Sequence, residues 1–257
     1  MQRRGLPRLV VAAVFTGALF PLASIASGCS SPDPTGTGGG SSGGTGTGGR
    51  APDAGPQPVT VTLHPSATPL PGESACTVVE VTNISIPDAH HVELCAPVAY
   101  ATNPPSGGPH WPVWTAQGKY SSPVPRELYT HNLEHGWIVL SYRCAEGCPS
   151  TVAALEKALG DASDTYCIAQ GDDTPRVILT PDPLLKTPIA VSAWGATYTA
   201  TCIDPPSIAA FIAARIGRGT EMICGGGQAP ETVTALCLSS GVDGGSDGGG
   251  DAGSDGG

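Results

Sequence analysis

Glycine sets the limits of the part of this chain that can fold. From Ser30 to about Pro58 the residues are almost wholly Gly, Ser, Thr and Pro, and from Gly241 to Gly257 they are mostly Gly, punctuated by Asp243, Asp247, Asp251 and Asp255. Neither stretch holds enough apolar surface to offset the entropy lost on ordering a backbone. A core must therefore be built within residues 59–240, about one domain's length of chain. Residues 29–58 read as a flexible tether and residues 241–257 as a solvated tail. The evenly placed Asp residues of that tail lack the apolar position on which stacked calcium-binding repeats depend.

Ahead of the tether, Arg3, Arg4 and Arg8 precede an apolar run from about Leu9 to Ala26, and the run meets Ala26-Ser27-Gly28-Cys29. Charge, then hydrophobes, then small residues is the order of a signal peptide, here residues 1–28. A cysteine directly after the small residues resembles the lipobox of bacterial lipoproteins. That resemblance implies lipid on Cys29 and a membrane as partner, with Ser30 in place of Asp favouring the outer membrane. No other apolar run approaches the length of a span. The formal charge is -10, and the lysines are Lys119, Lys157 and Lys186 alone. Without a cluster of cations to neutralise phosphates, nucleic acid is excluded as a partner.

Nine cysteines are present. With Cys29 assigned to lipid, the remaining eight make an even set, which in an exported chain implies disulfides. Eight thiols allow roughly a hundred connectivities; Cys76 with Cys95 and Cys224 with Cys237 are the local candidates. Cys144 and Cys148 stand apart, because they fall between an apolar strand pattern, Trp137–Tyr142, and a helical pattern, Ser150–Leu159. A staple closing a short loop is the first reading of that pair. The other is a thioredoxin-like redox or copper-handling pair, since a helix N-terminus favours a thiolate.

Alternation or apolar runs predict strands at Val59–Leu63, within Cys76–Ile86, at Trp137–Tyr142, Arg176–Thr180, Ile189–Gly195 and Ala196–Thr201. Helices are expected near Glu127–His135, stopped by Gly136, at Ser150–Leu159, and at Ile208–Ile216 behind Pro205-Pro206-Ser207. Pro104–Pro125 is too rich in Pro and Gly for an element interior. The expected fold is a single α/β or α+β domain: a small mixed sheet with packed helices, a Pro/Gly-rich loop region and disulfide staples.

Half of the six histidines lie in two short patches. His131 and His135 sit four residues apart, on one face of the expected helix, and His110 follows the turn-forming run Asn103–Pro109. Two or three imidazoles so placed can hold a transition ion, zinc or copper. The expected ligands are His110, His131 and His135, with His91 as a candidate fourth. Glu134, a quarter-turn from His135, is expected to be a poor ligand and a candidate general base. The pattern is not H-E-x-x-H, so a metalloprotease is not implied. The alternative is a non-catalytic surface module in which hydrogen-bonded histidines merely shape the loops.

Four stretches together resemble a bacterial family catalogued as domain of unknown function 3105: His91-Val92, Asn103–His110, His131–Gly136 with the strand after it, and Thr187–Gly195. They span about Asp88 to Arg218. The resemblance implies a secreted or membrane-tethered protein and one shared fold, and carries no chemistry with it.

Overall fold

A computed structural model describes residues 56–144, 148–160 and 162–239. The expected signal peptide, Cys29, nearly all of the tether and the Gly/Asp tail lie outside the described residues. No described helix is long and apolar enough to cross a membrane.

Among the described residues, seven strands form one mixed sheet in the order β1-β2-β7-β6-β4-β5-β3. The strands are β1 Val59–Leu63, β2 Val78–Thr82, β3 Gly118–Lys119, β4 Ile138–Tyr142, β5 Val177–Pro181, β6 Ile189–Ala193 and β7 Ala196–Ala200. β4 runs parallel to β5, and β5 to β3; every other pairing is antiparallel. The helices are α1 Arg126–Glu134, α2 Pro149–Leu159, α3 Thr165–Ala169, α4 Pro205–Arg215 and α5 Pro230–Ser239.

β4 is the axis of the fold, and its sequence explains why. All five of its residues are buried, as expected of a strand covered on both faces. Ile138, Leu140 and Tyr142 point to one side, where Leu155 of α2 and Ile208, Phe211 and Ile212 of α4 meet them. Val139 points to the other, against Leu128, Tyr129 and Leu133 of α1. The period-two pattern thus feeds two cores. Each fully buried leucine contributes about 1.5–3 kcal/mol relative to exposure, so β4 and α1 hold each other in place. At the far edge, β1 is exposed along its whole length.

The disulfides correct the local pairing expected from the sequence. Cys76 joins Cys202, Cys95 joins Cys237, Cys167 joins Cys224, and Cys144 joins Cys148. Three of these link positions 57 to 142 residues apart in sequence. Long loops remove the most entropy from the unfolded chain, so each such bridge stabilises by about 2–4 kcal/mol. Three elements go beyond the expected set. They are the two-residue β3 inside the Pro/Gly region, the short α3, and α5.

A buried ion pair ties the second half of the chain to the end of α1. Arg176 Nε and Nη2 donate to both oxygens of Asp164 at 2.5 and 3.1 Å, while Nη1 donates to the His135 carbonyl at 2.8 Å. Asp164 also caps α3 by accepting from the Cys167 amide. Both side chains are almost wholly buried, so each charge depends on the other for compensation.

Candidate metal centre

α1 brings the histidine motif into the interior. Its last turn closes in a Schellman arrangement: Gly136 N–H donates to the Leu133 carbonyl at 2.9 Å and Trp137 N–H to the Asn132 carbonyl at 3.0 Å. Gly136 sits at φ +79°, a conformation open to glycine. That turn converts the helix directly into β4. With Leu128, Tyr129 and Leu133 committed to the sheet, His131, Asn132, Glu134 and His135 are left to meet the Pro/Gly-rich segment that packs over them.

Asn132 positions that segment. Its side-chain oxygen accepts from the Thr115 amide at 3.0 Å, and its side-chain nitrogen donates to the Thr115 carbonyl at 2.8 Å. One buried amide thus stands in for a partner strand. Trp111 N–H donates to the Glu127 carbonyl, and its indole to the Ala96 carbonyl. On the other side a short parallel bridge sets His91 beside His110: Val92 N–H donates to the His110 carbonyl at 2.8 Å, and His110 N–H to the His90 carbonyl at 3.2 Å.

The result is a convergence of three imidazoles and one carboxylate. The rings of His91, His110 and His131 form a triangle with centroids 4.7 to 5.0 Å apart. One ligand atom from each of His91, His110, His131 and Glu134 lies within 4.8 Å of the others. His110 and His131 are oriented by hydrogen bonds from Nδ1 to the carbonyls of Gly108 and Trp111, both at 2.8 Å. A carbonyl only accepts, so Nδ1 carries the proton and the neutral ring keeps a lone pair on Nε2. Backbone carbonyls holding Nδ1 in this way are the usual second layer around a histidine-bound metal.

Glu134 corrects the sequence expectation. Judged against His135 it points away; judged against His131 it is three residues on and shares that face. Its Oε2 lies 3.1 Å from His110 Nε2, while Thr220 donates to its Oε1 at 3.3 Å. His110 Nε2 is buried, and Glu134 is the polar group it faces. A lone pair on nitrogen thus confronts a carboxylate oxygen, and a cation or a shared proton between them makes the contact favourable.

His135 sits next to this group without joining it. Its ring stacks edge-on against His131 at 4.6 Å and against Trp114 at 4.7 Å, and its Nε2 faces Glu221 Oε2 at 3.2 Å. Glu221 carries no signal in the sequence near α1; it arrives from the loop after α4, 86 residues beyond His135. His90 lies outside the cluster, bonded at the surface to Asp88.

Burial lowers the basicity of the inner imidazoles. It takes His131 down to about 4, with repulsion from His110, His135 and His91 adding to the effect. Burial also takes His135 to about 4, helped by His110 and Arg176. His110 is lowered mainly by burial, against the opposing pull of the Gly108 carbonyl and Glu134. These rings are neutral at neutral pH, the form that binds metals. An ion about 2.0–2.1 Å from each of four donors would set neighbouring donors about 3.3 Å apart. His110 and His131 are held at Nδ1, whereas His91 is exposed.

A family model described as "Protein of unknown function (DUF3105)" matches residues 91–225. That interval begins at the first candidate ligand and contains the other three. No curated protein and no solved structure matches this chain.

Proposed function

The chain belongs to the DUF3105 family, and on that premise we propose that its folded domain binds a divalent transition-metal ion through His91, His110, His131 and Glu134. The observation that carries this reading is the convergence of one donor atom each from His91, His110, His131 and Glu134 within 4.8 Å of one another, with His110 Nε2 set 3.1 Å from Glu134 Oε2. Three imidazoles and a carboxylate suit zinc(II) or copper(II). The eight cysteines from Cys76 to Cys237 are all disulfide-bonded, so no thiolate there favours copper(I). Four protein donors fill a tetrahedral shell, which favours holding an ion over activating a water on it. In this role Glu134 is a ligand and not a general base.

The proposal extends to the cell. A signal peptide over residues 1–28 would export the chain, lipid on Cys29 would fix it to a membrane, the outer one by preference, and residues 29–58 would let the metal-binding domain stand clear of the bilayer. Metabolic labelling with a fatty acid, lost in Cys29→Ala, tests this part alone.

Metal content is the test of the site. The purified protein, stripped with chelator and titrated with zinc(II) and copper(II), is expected to take up one equivalent. His131→Ala should take up none at the same concentration. Equal uptake by both proteins would sink the proposal.

A further inference from the structure

The Cys144–Cys148 bridge lies at the opposite end of β4 from the metal ligands, roughly 17 Å away along a five-residue strand, and the metal reading does not use it. The bridge occupies the junction between β4 and α2, inside a unit whose two strands, β4 and β5, run parallel. β6 pairs antiparallel on the other side of β4, and β7 follows it. A cysteine pair at the strand-to-helix junction of a βαβ unit is placed as in thioredoxin-like redox motifs, here with three residues between the cysteines in place of two.

Three further observations point the same way. Cys148 occupies the N-cap of α2, no side chain caps the helix, and Pro149 takes its first position. Charge developing on that sulfur meets the positive end of the helix. The Arg143 amide donates to the Pro188 carbonyl at 2.8 Å, which fixes the backbone just ahead of Cys144. A cavity of about 690 Å³ opens beside it, lined by Cys144, Tyr120, Pro123, Tyr142, Val152 and Pro181 among others. Cys144 faces this cavity and Cys148 does not. As a staple the bridge would do little, since it spans four residues where the other three span 57, 126 and 142, and short loops restrain the unfolded chain least.

We propose that Cys144–Cys148 is a redox-active disulfide that oxidises a dithiol in a cysteine-containing polypeptide seated in this cavity. A substrate thiolate attacks Cys144 Sγ, forming a mixed disulfide and breaking the Cys144–Cys148 bond; Cys148 leaves as a thiolate at the helix end. The second substrate thiolate then attacks the substrate sulfur of the mixed disulfide and releases Cys144. Two electrons and two protons pass from the substrate dithiol to the cysteine pair, and the substrate leaves as a disulfide.

Graded glutathione buffers followed by thiol alkylation and peptide mass mapping test the first half of the claim on the whole protein. Cys144 and Cys148 should open as a pair at a reductant level at least tenfold below that needed for Cys76–Cys202, Cys95–Cys237 and Cys167–Cys224. Simultaneous opening of all four bridges would overturn it. The second half is read with a reduced synthetic dithiol peptide carrying apolar flanks, mixed in equal amount with the oxidised protein. One equivalent of peptide disulfide is expected. In the reverse direction, Cys148→Ser should trap the disulfide form of the peptide on Cys144, and Cys144→Ser should trap far less. A peptide left reduced, or equal trapping by the two variants, refutes the assignment. If neither variant folds, the mapping and the peptide oxidation by the unaltered protein still decide. Metal uptake is measured in the same samples, and its failure bears only on the histidine site.

Discussion

His110 Nε2 and Glu134 Oε2 face each other at 3.1 Å, with the imidazole wholly buried and the carboxylate 12 % exposed. Both atoms are acceptors when His110 donates from Nδ1 to Gly108, so the pair is comfortable only around a cation or a shared proton. The ion and the proton compete for one position, and that competition makes the contact testable.

Glu134→Gln separates the two occupants. The amide donates a hydrogen bond to His110 Nε2 and so satisfies the lone pair without any charge. The metal-free variant is expected to melt at or above the temperature of the metal-free parent, by up to about 1 kcal/mol of added stability. Its zinc affinity should fall by about tenfold or more through loss of the anionic donor. Calorimetric melting in chelator and a competition titration with a chromophoric chelator read both effects. A variant that binds as tightly as its parent removes Glu134 from the ligand set.

Asn132→Ala tests the clamp that holds the loop over the histidines. The substitution strips partners from the Thr115 amide and carbonyl, which the side chain now serves at 3.0 and 2.8 Å in a buried setting. Each orphaned buried group costs about 1–3 kcal/mol, so a loss of roughly 2–4 kcal/mol is expected in urea unfolding. Zinc should restore part of it by binding the folded state alone. A loss below about 0.5 kcal/mol would show that the segment is held by other contacts.

The histidines also set a pH dependence. In the folded state burial holds His131 and His135 at about 4, below the value of about 6.5 for an unfolded chain. Between those limits the unfolded chain binds more protons, so stability rises with pH. The contribution is complete above about pH 6.5 and is lost as pH falls toward about 4. Thermal midpoints of the metal-free protein should drop steadily from pH 7 to pH 5. Saturating zinc should move the drop to lower pH, because an ion on Nε2 excludes the proton. A flat profile over this interval would mean that the rings protonate freely and are not enclosed.

Much of this fold is legible in the sequence, for physical reasons that also explain what is not. The run Trp137–Tyr142 is apolar without alternation and so announces a strand covered on both faces, as β4 is. Gly136 after the histidine pair marks the end of α1 to within one residue. The helix α5 escapes notice because it buries little beyond Pro230 and Val233, and so leaves a weak apolar stripe. α3, at five residues, is too short for any period to show. Pairings such as Cys95–Cys237, 142 residues apart, belong to the tertiary fold and leave no local trace. At the site, His110 and His131 were legible from their motifs. Glu134 is hidden when its angle is taken from His135, because His131, three residues before it, is the neighbour whose face it shares. Glu221 is brought in by the loop after α4, which no spacing rule connects to α1.

That loop supplies the last prediction. Gly219 packs against the end of α1 so tightly that an added Cβ would lie 2.0 Å from the Glu134 carbonyl oxygen and 2.3 Å from the Gly136 nitrogen. The neighbouring bonds, Gly217 N–H to the Gly136 carbonyl at 2.7 Å and Glu221 N–H to the Glu134 carbonyl at 3.0 Å, leave no slack on either side. Gly219→Ala must therefore push the backbone that carries Glu134 and His135, at a cost of roughly 1–3 kcal/mol. It should lower zinc affinity as well. Gly72→Ala is the matched control: Gly72 has φ +90° and no atom within 4 Å of an added Cβ, so it loses only the left-handed backbone preference, about 1–2 kcal/mol. The two variants should destabilise by comparable amounts, yet only Gly219→Ala should weaken the metal site. If both bind zinc like the parent, the α4 loop does not position Glu134, and the carboxylate is held by α1 alone.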